Sequence, residues 1–127
     1  MLKLYPIVSV ILNNDTAPQQ IPALWQQTAL PSQQTIYGVY SDYEHGHHGN
    51  YRFSIATEAP NQETPIIIPD LTAYEIFATS CERIYPTWQH IWQLEQQGTL
   101  KRSYAIDFER YYSQEHVEIF VAIQKHD

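Results

Sequence analysis

A chain of 127 residues, 43% hydrophobic and 17% charged, has room for one domain around one modest core. Its formal net charge of −7 repels phosphate backbones, argues against direct nucleic-acid binding and favours cations. The single cysteine, Cys81, excludes an intramolecular disulfide and a cysteine-rich zinc site. The apolar run Leu4 to Leu12, broken by Pro6 and Ser9, is too short for a membrane span and lacks a cleavage site, so a cytoplasmic setting is expected.

Taken in order, Ile7 to Leu12 is β-branched and reads as a strand, ended by the turn residues Asn13 to Thr16. Ile21 to Thr28 reads as a short helix with Pro22 in its first turn. Thr35 to Tyr43 is a strand in which Gly38 marks a bulge or a close approach by a ligand or another backbone. Glu44 to Asn50 is a Gly-rich turn, and Tyr51 to Thr57 returns as the second strand of a hairpin. Ala59 to Asp70 holds three prolines and reads as a connector. Residues 72–79 form the next strand. A second helix runs from Tyr85-Pro86 to about Gln97, stopped by Gly98. Its inward stripe is Ile84, Trp88, Ile91 and Leu94, flanked by Tyr85 and Trp92. Ser103 to Tyr112 and Val117 to Ile123 are the last strands, the final one buried on both faces.

This order repeats: strand, Trp-bearing helix, then a hairpin. TIYGVYSDYE stands beside SYAIDFERYY, and YRFSIATEA beside VEIFVAIQK. Two pseudo-repeats, about 1–58 and 65–127, are therefore expected within one domain.

The strand Ser103 to Tyr112 concentrates the chemistry. Tyr104, Ile106 and Phe108 alternate with Asp107, Glu109 and Tyr111, so the two acids share a face. Paired acids among aromatics suit a pocket for a small cationic or aromatic ligand, with Glu109 as its negative end. A cation stacked on rings beside a desolvated carboxylate replaces lost water by charge and by cation–π attraction, roughly 0.5–2 kcal/mol per ring. A surface carboxylate paired with Arg110, Arg102 or Lys101 explains the same residues. Glu44, His45, His47 and His48 have metal-ligand composition without structural-zinc spacing, and they read as an exposed hairpin tip with no metal.

The stretches NNDTAPQQIPALWQQ, YGVYSDYEHGHHGNYRFSIATEA, AYEIFATS, TWQHIWQ and YAIDFERY…VEIFVAI resemble the GyrI-like, AraC-type effector-binding domain over nearly the whole chain. That resemblance implies an α+β fold: duplicated βαββ units in a curled, mainly antiparallel sheet, helices packed on it, and a ligand groove between the halves. It matches Glu109, through the Glu-x-Tyr motif, to the buried Glu that meets cationic aromatic drugs in the regulators. It also implies an aromatic groove lining, for which the candidates are Trp25, Tyr37, Tyr40, Tyr51, Phe77, Trp88 and Trp92, with Tyr111 and Asp107 beside Glu109. The chain looks like the stand-alone form, also found in integron cassettes, without a DNA-binding domain of its own.

The expected function is small-molecule binding of the effector-sensing type, with a cationic, aromatic, drug-like ligand, no cofactor, and no nucleic-acid or membrane partner. A homodimer or a protein partner stays open. One alternative is a hydrolase in the same groove, since some relatives of the family resemble hydrolases of cyclopropane-containing antibiotics. No G-x-S-x-G, phosphate loop or dinucleotide fingerprint supports an enzyme. The other alternative is a protein-binding modulator of a partner such as gyrase or a transcription regulator.

Overall fold

The computed structural model describes residues 1–124, except the side chain of His47. Lys125 to Asp127, the end of the second expected repeat, lie outside the described residues. Nine elements carry the fold: β1 (Leu2–Leu12), α1 (Ala17–Gln27), β2 (Ile36–Ser41), β3 (Tyr51–Thr57), β4 (Ile66–Ile68), β5 (Tyr74–Thr79), α2 (Ile84–Gln96), β6 (Asp107–Tyr111) and β7 (Val117–Ala122). All seven strands join one antiparallel sheet in the order β4-β1-β3-β2-β6-β7-β5. The fold is α+β with a curled sheet, as expected. In β1-α1-β2-β3 the strands pair as β1-β3-β2. In β5-α2-β6-β7 they pair as β5-β7-β6, and the two sets meet along β2 and β6.

Alternation on the strands sorts the core into two layers. On the helix side, Leu12, Ile36, Phe53 and Ile55 pack under Ile21, Leu24 and Trp25 of α1. Ile119, Val121 and Leu100 pack under Trp88 and Ile91 of α2. On the opposite face, Leu4, Tyr37, Val39, Ala56, Phe108 and Phe120 form a third cluster with Ile68 of β4 and Tyr74 of β5. Those two strands are the opposite edges of the sheet, so its curl lets this face bury itself without a helix.

The larger departures from expectation have local reasons. β1 begins at Leu2, and Pro6 is accommodated where the register shifts between Pro6 and Val8, a bulge that needs no ladder N–H. Its extra residues pair with β4, inside the segment read as a connector. Pro65 and Pro69 bracket that edge strand rather than interrupt it. Helix α1 begins a turn early, because the Asn13 side chain accepts from the backbone N–H groups of Asp15 and Thr16 at 2.9 and 3.0 Å. Pro18 therefore takes the first turn and Pro22 falls inside the helix. Finally, β6 begins at Asp107 and not Ser103, because Tyr104 has a left-handed backbone, φ 57°. No helix among the described residues is long and apolar enough to cross a membrane.

Candidate functional site

The two helices leave a cavity of about 830 Å³ between them, floored by β2, β3 and β6. Trp25 of α1 and Trp88 and Trp92 of α2 form its walls, and Tyr40, Tyr51 and Tyr111 rise from the floor. Ile36, Gly38 and Tyr40 point to the helix side of β2, opposite Tyr111, Glu109 and Asp107 of β6. Glu109 thus faces a glycine across the central strand pair. A Cβ at position 38 would lie 2.9 Å from Glu109 Oε1 and 3.2 Å from the Phe53 ring. Gly38 marks a close approach, and what approaches is the carboxylate of this chain.

Glu109 is 1% exposed. Its Oε2 accepts from the Tyr40 hydroxyl at 2.9 Å and the Trp88 indole N–H at 2.7 Å, and its Oε1 accepts from the Tyr111 hydroxyl at 2.6 Å. Three of the roughly four acceptor positions of a carboxylate are filled, all by neutral donors. Among the described residues no basic side chain pairs with it. Burial pushes the Glu109 carboxyl above the usual carboxylate range, against the pull of the bonds from Tyr111, Trp88 and Tyr40. Burial, then the charge of Glu109, lifts the Tyr40 and Tyr111 phenols well above their ordinary range, so both remain donors. The same two causes push Tyr51 up to about 12.

Asp107, on the same face of β6, is also fully buried, but it is neutralised. Arg102 Nη2 donates to its Oδ2 at 2.7 Å, with Arg102 6% exposed. The Tyr43 hydroxyl donates to Oδ2 at 2.5 Å, and the Ala122 backbone N–H to Oδ1 at 2.7 Å. Burial works against the Arg102 charge, but Asp107 beside it overrides this and raises the guanidinium above its ordinary range. Tyr104 donates to Glu95, and its ring lies 4.2 Å from the guanidinium carbon.

Of the residues expected at the site, Glu109, Trp25, Tyr40, Tyr51, Trp88, Trp92 and Tyr111 border the cavity. Three lie elsewhere. Tyr37 is an odd number of residues from Tyr40 and so faces the other layer. It packs there against Phe108, donates to Glu58 at 2.8 Å and accepts from Arg110 Nε. Phe77 sits under α2 beside His90. Asp107 stands behind Arg102 as its counter-ion. Arg102, Tyr43 and Tyr104 border the cavity without having been expected there. Asp42 has φ 54° and Tyr104 has φ 57°. These left-handed residues break the strand alternation, and sequence periodicity carries no trace of them. Among the described residues no group of three or more His, Cys, Asp or Glu side chains is placed to hold a metal. The His47 side chain of the hairpin tip lies outside the described residues.

No protein-family profile matches the chain. It is 33% identical over 138 residues, spanning 87% of this chain and 83% of the other, to a Bacillus subtilis (strain 168) protein described as "Putative transcriptional regulator protein YobU". An integron cassette protein from the mobile metagenome of Vibrio cholerae has a crystal structure that superposes with a TM-score of 0.79. That match covers 97% of this chain and 90% of that one at 22% identity, a likeness of fold.

Proposed function

The chain belongs to the family of the Bacillus subtilis YobU protein, and from that kinship and the cavity we propose that it binds a small cationic, aromatic, drug-like molecule as an effector-sensing domain of the GyrI-like type. The observation that carries the reading is Glu109, a buried carboxylate held by three neutral donors at the floor of an aromatic cavity. Hydroxyl and indole donors hold a carboxylate in place without cancelling its charge. A bound cation would supply the missing counter-charge and stack on the surrounding rings. The name of the relative supports a regulatory outcome of binding. The net charge of −7 speaks against direct contact with nucleic acid. One exposed free thiol, Cys81, suits a reducing cytoplasm.

Fluorescence titration with rhodamine B ethyl ester, a delocalised aromatic cation, tests this reading. The wild type should bind the dye, and Glu109→Gln should bind it at least about tenfold more weakly. The neutral dihydro form of the dye should distinguish the two proteins much less. Added salt should weaken wild-type binding only mildly, since a buried charge is poorly screened. Equal affinity of both proteins for the cation would refute the role of Glu109. Chemical conversion of a bound compound would favour the hydrolase reading instead.

A further inference from the structure

The cavity that holds Glu109 also borders a cation of the chain itself. Arg102 Nη2 is committed to Asp107 at 2.7 Å, but Nη1 reaches Glu95 and the Tyr104 hydroxyl only at 3.4 Å each. Its Nε is buried and has no hydrogen-bond partner. A guanidinium carries five N–H donors in a fixed fork, and a buried donor left idle is uncommon in a folded protein. The cation is not in excess, since Asp107 and Glu95 already balance it. What it lacks is an acceptor in the plane of Nε. Trp88 links this group to the other pole: its indole N–H goes to Glu109, and its ring lies 5.7 Å from the Arg102 guanidinium carbon. One cavity is therefore bordered by an uncompensated carboxylate and by an arginine whose buried Nε lacks an acceptor, with Trp88 in contact with both residues.

We propose that the ligand is amphoteric. Resting on the small-molecule reading above, this inference adds to the cationic aromatic part set near Glu109 an anionic oxygen group, such as a carboxylate, that accepts from Arg102. Nε is closed off from water, so the oxygen reaches it by displacing part of the ring wall. The rings around the guanidinium are Tyr104, Trp88 and Tyr43, with centroids 4.2, 5.7 and 6.0 Å from its carbon. A purely cationic compound would leave this donor without an acceptor. A zwitterion would satisfy both poles and keep the cavity's net charge unchanged. The pairing would select a compound by the separation of its charges as well as by their sign.

The test compares rhodamine B, which carries a delocalised cation and a carboxylate, with its ethyl ester, which keeps the cation and loses the anion. Titrations use the whole chain and fluorescence anisotropy. The wild type should prefer the acid to the ester by about tenfold or more, the range of a charge-assisted hydrogen bond. Arg102→Lys keeps the charge but removes Nε–H and the fork, and it should lose most of that preference while still binding the ester. The double variant Arg102→Gln with Asp107→Asn removes the buried pair together, leaves no orphan charge, and should lose the preference as well. Thermal melts confirm that each variant is folded. Equal wild-type affinity for acid and ester would overturn the inference and leave the binding role intact. A preference that survives in both variants would also overturn it. Binding of neither dye would overturn the underlying reading and this inference with it.

Discussion

Asp107 and Glu109 stand two residues apart on one face of β6, both closed off from solvent, and their surroundings are opposite. Asp107 has a guanidinium at 2.7 Å, a phenol and a backbone N–H. Glu109 has two phenols and an indole, and no cation. A buried acid with a counter-ion is complete within the chain and ties β6 to β7 and to the segment before it. A buried acid with only neutral donors is held in position with its charge left over. Burial is the same at both, so burial does not set the two carboxylates apart. The nature of the donors does.

The sharpest way to break this contrast is to remove each charge and compare stabilities. Asp107→Asn leaves the buried Arg102 only its longer pair with Glu95 at 3.4 Å and should cost about 3–5 kcal/mol in urea denaturation. Glu109→Gln removes a charge that has no partner, so it should cost less than about 1 kcal/mol, because an unpaired buried charge is itself unfavourable. Similar losses for the two variants would show that the environments are not different in kind.

Ligand binding should reverse the ranking. Glu109→Gln should weaken rhodamine B ethyl ester by about 1.5–3 kcal/mol, the range for a hydrogen-bonded charged group. Isothermal titration measures this directly, and an unchanged affinity would put Glu109 with Asp107 among the structural acids.

Gly38→Ala probes the space that Glu109 needs. The new methyl would meet Oε1 at 2.9 Å and Phe53 at 3.2 Å, and such overpacking costs about 1–3 kcal/mol. Part of the loss should return when Glu109→Ala is introduced into the same chain. A denaturation midpoint equal to the wild type's would mean that the strand pair yields freely at its centre.

The smallest effect is on pH dependence. The folded-state pKa of Glu109 is raised by burial, so between the unfolded value, about 4.3, and the raised value the native state holds more protons than the unfolded one. Stability then falls as pH rises through that interval and is flat on either side. Wild type should lose stability relative to Glu109→Gln across it, while its affinity for the cationic dye increases as the carboxylate ionises. Parallel stability curves for the two proteins would remove the titration from Glu109.

Period-two alternation placed Asp107, Glu109 and Tyr111 on one side of β6 from the residues alone. The three-residue spacing of Tyr37 and Tyr40 already implied opposite faces. Helix α2, with Trp88 and Ile91 inward, was equally readable, since a single amphipathic stripe is a local property of the chain. The curled α+β sheet was expected from the order of elements together with a family resemblance. The partners of the acids were not readable. Arg102, the counter-ion of Asp107, lies in a segment whose course turns on the left-handed backbone of Tyr104, and Tyr43 joins the cavity through the left-handed Asp42. Gly38 in a strand signals a bulge or a close approach by a ligand or another backbone, but only the antiparallel register of β2 and β6 puts the Glu109 side chain there. Local periodicity dictates which way a side chain points. Which charge it meets depends on strands and loops far apart in the chain, brought together by packing that no short window of sequence contains.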